Sequence, residues 1–107
     1  MSEVDYPRMV NAARIELEAA GNPAYGIVVM TADGFDVEPM VYAQLRPALT
    51  HAERVSGLLE PGEQLFIVSR AQDTEQIAFT IMDDRTRKLH QQFEVIEKSL
   101  SEQEGPI

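Results

Sequence analysis

Tyr25-Gly26-Ile27-Val28-Val29-Met30-Thr31, followed at once by Ala32-Asp33-Gly34, is the stretch that decides the fold class of this chain. The run is β-branched and lacks polar alternation, the pattern of a central strand covered on both faces. An Asp-Gly pair directly after a strand signals a turn. A chain built around such a strand is not an all-helical bundle.

Upstream, the spacing predicts a helix over Tyr6–Ala20. Asp5 is a good N-cap, and Pro7 falls in the first turn, where its missing N–H does no harm. Tyr6, Val10, Ala13, Leu17 and Ala20 recur at intervals of four and three and so share one face. Gly21-Asn22-Pro23 ends the helix, with glycine available as a left-handed cap. Downstream, Phe35–Leu45 has two readings. It is either a second, hairpin-paired strand with Pro39 at an edge or bulge, or the start of a long helix opened by Pro39. The long helix would carry Val41, Leu45, Ala48, Ala52, Val55 and Leu59 as its stripe, but it places Pro47 in its interior at about 3 kcal/mol. A helix over at least Pro47–Leu59 satisfies the pattern, with the stretch before it open.

Glu60-Pro61-Gly62 is a turn. Gln64–Ser69 reads as another buried strand, and Gln76–Met82 alternates Ile77, Phe79 and Ile81 as a half-covered strand does. The polar link Arg70–Glu75 is short enough for an antiparallel hairpin. Asp83 and Asp84 offer N-caps for a closing helix with Leu89, Phe93, Ile96 and Leu100 as its stripe. The order is helix, strand, possible strand, helix, strand, strand, helix. The predicted architecture is an α+β two-layer sandwich, a mostly antiparallel sheet of three to five strands packed by about three helices. Residues 1–101 form one domain, and 102–107 a loose acidic tail.

The 107 residues carry 18 acids against 9 Lys and Arg, a net charge of −9. Such a field repels phosphate backbones and anionic membranes, so direct nucleic-acid or bilayer binding is disfavoured, and basic partners are attracted. Without cysteine, neither a disulfide framework nor a thiolate zinc site is available. The acidic start, Met1-Ser2-Glu3-Val4-Asp5, is unlike a leader peptide, and no apolar run is long enough to span a bilayer. The expectation is a soluble cytoplasmic protein without cofactor or metal.

Groups with catalytic potential are sparse. His51 has Glu53 and Arg54 nearby in sequence. His90, with Glu94 and Glu97 four and seven residues on, would share a helix face with them as a weak metal motif. Asp83-Asp84 reads better as a pair of caps, neutralised by Arg85, Arg87 and Lys88, than as paired catalytic acids. The glycines form no phosphate-binding pattern.

Apolar stripes are abundant by comparison. Met9, Ile15, Met40 and Tyr42 fall off or beside them and suggest an exposed patch. Arg85, Arg87 and Lys88, the one basic cluster, are the other expected contact residues. The leading expectation is therefore a small adaptor or regulatory module that binds another protein and forms a homodimer. A second is an acidic inhibitor, immunity or nucleic-acid-mimic protein occupying a basic partner. It requires acids gathered on one surface, whereas the sequence spreads them through every segment. A third is a small enzyme or ligand-binding subunit with a pocket near Asp83, Asp84, His51 or His90.

Overall fold

The computed structural model describes residues 4–21, 23–73 and 76–96. Helix α1 (Tyr6–Ala20) is followed by β1 (Ala24–Thr31), β2 (Gly34–Val37), α2 (Leu45–Ser56), β3 (Gln64–Asp73), β4 (Gln76–Asp83) and β5 (Lys88–Ile96). The strands form one antiparallel sheet in the order β2-β1-β3-β4-β5. The α+β class and the small antiparallel sheet agree with the sequence reading.

Helix α1 starts as its sequence dictates, with Asp5 Oδ1 accepting from the Arg8 backbone N–H at 3.2 Å. It buries Met9, Val10, Ala13 and Leu17. Met9, Val10 and Leu17 each contribute roughly 1.5–3 kcal/mol when fully buried. Gly21 ends the helix at φ +102°, ψ −152°, a positive-φ conformation suited to glycine but not the left-handed cap geometry. Its carbonyl accepts from the buried Arg70 guanidinium at 2.7 Å, which places a cation at the negative end of the helix.

Two apolar clusters divide the strand residues by parity. Ala24 and Val28 of β1, Phe66 and Val68 of β3, and Ile77, Phe79 and Ile81 of β4 pack with α1. Ile27, Val29, Leu65 and Ile67 pack with Ala52 of α2 and its neighbours. Successive strand residues point to opposite faces, so α1 and α2 lie on opposite sides of the sheet. The molecule has three layers, which corrects the expected two-layer sandwich. The unbroken apolar run of β1 is the reason: a strand covered from both sides needs no polar alternation.

The ambiguous segment 35–45 resolves into a short strand and a connection. β2 stops at Val37, before Pro39, and pairs with β1 through Met30↔Phe35 and Val28↔Val37. Tyr42 then exchanges two backbone hydrogen bonds with Tyr25, at 2.7 and 2.9 Å. Helix α2 begins at Leu45, so Pro47 occupies its first turn, where N–H groups have no helical partner in any case.

The expected third helix is absent among the described residues, since Lys88–Ile96 is strand β5 paired with β4. Asp83 does not cap a helix. Its Oδ1 accepts from Arg85 N at 2.9 Å in the turn that returns the chain, and Arg87 closes that turn at φ +52°. Met82 pairs with Leu89 and Thr80 with Gln92, so His90 and Gln91 together oppose Ile81 in a β-bulge. Leu100 and the tail 102–107 lie outside the described residues. No helix among the described residues is long and apolar enough to cross a membrane.

Candidate functional site

The N-terminus of α1 and two turns enclose an open groove of about 740 Å³. The β1–β2 turn is held by Thr31, whose Oγ1 accepts from Asp33 N at 3.2 Å and donates to the Gly34 carbonyl at 3.3 Å. The α2–β3 turn, Glu60-Pro61-Gly62-Glu63, has proline in its second position and glycine at φ +90° in its third, as a type II turn requires. Glu63 closes it, with its N–H donating to the Glu60 carbonyl at 3.0 Å and its Oε1 accepting from Glu60 N at 2.8 Å. Met30, Phe35 and Pro61 supply apolar lining. Asp5, Asp33, Glu60 and Glu63 supply four carboxylates against one guanidinium, that of Arg8. The groove combines apolar surface with a negative field, which suits a cationic ligand that also carries hydrocarbon.

Both histidines are held between a phenol and a carboxylate. His51 Nδ1 lies 3.0 Å from the Tyr42 hydroxyl, and its Nε2 lies 3.5 Å from Glu38 Oε1. His90 Nδ1 lies 3.3 Å from the Tyr6 hydroxyl, and its Nε2 lies 3.8 Å from Asp83 Oδ2. The His90 ring stacks on Tyr6 and meets Phe66 edge-on. The nitrogen-to-carboxylate separations exceed hydrogen-bond length, so these are loose contacts. His51 sits on α2 and His90 against α1, on opposite sides of the sheet. The four groups expected to share an enzyme pocket, His51, His90, Asp83 and Asp84, are therefore not brought together. Asp84 is buried, and its Oδ1 has no hydrogen-bond partner.

His51 contacts Tyr42 and Glu38 rather than Glu53 or Arg54, its neighbours in sequence. The side chains of Glu94 and Glu97 lie outside the described residues, and no cluster of three or more metal-ligating side chains occurs among those described.

The expected contact residues scatter. Met9 belongs to the core, with no exposed surface, and leaves the set of exposed side chains. Ile15 is 75% exposed and Met40 56%. Tyr42 is half-buried against the α2-side core, across the sheet from α1. These four side chains do not build one patch. Arg85, Arg87 and Lys88 stand exposed at the β4–β5 turn. Arg87 pairs with Glu53 of α2, rather than with Asp83 or Asp84 as its sequence position suggests.

The convergence of the groove acids escaped sequence reasoning although the N-cap that carries Asp5 and the two turns that carry the others were legible. Asp33-Gly34 and Glu60-Pro61-Gly62 read as turns, and nothing local indicates that they converge on the start of α1.

Comparison with known protein families, with curated proteins and with solved structures finds no match for this chain.

Proposed function

We propose that this chain is a small protein-binding module that receives a basic, partly apolar segment of a partner in the groove beside α1. The observation that supports this reading is the convergence of Asp5, Asp33, Glu60 and Glu63, from separate segments, around Met30, Phe35 and Pro61. Catalysis is the weaker reading, since the two histidines are engaged singly on opposite sides of the sheet. An arginine or lysine side chain suits such a groove: its methylene stem covers apolar surface while its charged head meets carboxylate. The module is proposed to act as a homodimer, which would present two grooves.

The same convergence favours a second reading, an acidic inhibitor that occupies a basic partner. Dispersal of the 18 acids along the sequence counts against that idea, and the gathering of four of them, Asp5, Asp33, Glu60 and Glu63, around one groove speaks for it. Salt separates the two readings, because exposed charge contacts are screened whereas apolar anchoring is not.

A synthetic peptide alternating arginine and leucine is the probe. Titration calorimetry is expected to show saturable binding, weakened at least about tenfold when Asp33→Lys and Glu63→Lys are combined. Phe35→Ala is expected to weaken it as well if the groove anchors apolar side chains. Loss of binding in salt with no effect of Phe35→Ala would select the inhibitor reading. Binding indifferent to the charge reversals would overturn both.

A further inference from the structure

The two edges of the sheet are guarded very differently. Sheet edges expose unpaired N–H and C=O groups, and proteins that stay monomeric protect them with short strands, charges or proline. The β2 edge has all three protections. It is four residues long, it contains Asp36, and Asp33, Glu38 and Pro39 flank it. The β5 edge is nine residues long, Lys-Leu-His-Gln-Gln-Phe-Glu-Val-Ile, and contains no proline. Its one lysine stands at the first position and its one glutamate near the other end. Among the described residues β5 pairs only with β4. Leu89, at its start, is 60% exposed. The bulge opposite Ile81 twists the first half of β5, so Gln92–Ile96 is its regular stretch.

We propose that β5 pairs antiparallel with β5 of a second copy, joining two five-stranded sheets into one continuous sheet across a twofold axis. Two chains of charge −9 repel each other, and contact is least costly where local charge is nearest zero. Lys88 and Glu94 balance along β5, whereas β2 and its flanks are acidic. Antiparallel pairing of identical strands is twofold-symmetric, so the interface closes at two copies and does not propagate. This deepens the module reading by naming its dimer surface, and it stands independently of the groove.

The test combines sedimentation with amide exchange on the full chain. The unaltered chain is expected to sediment as a dimer at high concentration and to dissociate on dilution, with β5 amides gaining protection as concentration rises. Gln92→Lys combined with Glu94→Lys is expected to weaken self-association at least about tenfold. That double change brings the net charge toward zero, so general repulsion falls, and weakening despite this localises the contact to the edge. The groove variant Asp33→Lys with Glu63→Lys is expected to leave the dimer intact, and the β5 variant to leave peptide binding intact. A chain monomeric at all concentrations, or a dimer whose β5 amides exchange at a concentration-independent rate, would overturn the pairing. Should the β5 variant fail to fold, concentration-dependent exchange in the unaltered chain still decides. Protection of β5 only by the added peptide would likewise overturn it, since that outcome marks the edge as a site for foreign strands.

Discussion

Gly26 illustrates how one residue fixes the distance between layers. A Cβ built there would lie 3.2 Å from Leu17 Cδ2, with the Val68 carbonyl behind it at 4.0 Å. Leu17 is fully buried, so it has little room to move aside. Gly26→Ala is therefore expected to destabilise the fold by about 1–2 kcal/mol, the range for overpacking a close contact. In urea this lowers the unfolding midpoint without changing the slope. An unchanged midpoint would mean that α1 and β1 are farther apart than a 3.2 Å approach of Leu17 to that Cβ allows. Nothing around Gly26 in the sequence announces this role, because a glycine inside an apolar run reads only as a weak spot in a strand. Met9 was hidden in a similar way: it lies one position from Val10 on α1, and a stripe drawn at strict spacings of four and three omits it, whereas the buried arc of the helix includes both.

At the scale of elements, helix α1 was legible to the residue because its signals are local: an N-cap, an early proline and a terminal glycine. Strands β1 and β4 were legible from their β-branched runs, and β3 as far as Ser69; the polar Arg70–Asp73, which reads as a link, continues β3 because β4 pairs with it. β5 was not legible, for a definite physical reason. Leu89 and Phe93 are four apart, an interval compatible with one face of a helix and equally with one face of a strand. The bulge then turns the two to different faces of the sheet. Only the β4 partner decides between helix and strand, and that information lies outside the segment. The expected check is nuclear magnetic resonance: Cα and Cβ shifts of Lys88–Ile96 should be those of extended backbone, with cross-strand contacts from Phe93 to Phe79. Helical shifts over the same residues would restore a third helix and remove the β5 edge, and the proposed dimer with it.

For the whole molecule, sequence composition gave the acidity, and the fold gives the acidity a place. Carboxylates at positions 5, 33, 60 and 63 are spread over more than half the chain, yet the N-terminus of α1 and two turns set them around one groove. The three-layer arrangement makes this possible. With α1 on one face and α2 on the other, the β1–β2 turn, the α2–β3 turn and the start of α1 all emerge at the same end of the sheet. β5 runs along the side of the sheet opposite β2, so a partner in the groove and a second copy on the edge would occupy different surfaces. The most direct measurement is therefore a heteronuclear shift titration of the labelled chain with the arginine-leucine peptide. The account expects perturbations concentrated at Asp5, Arg8, Thr31–Phe35 and Glu60–Glu63, with β5 unmoved. Perturbations centred elsewhere, or none at saturating peptide, would contradict it.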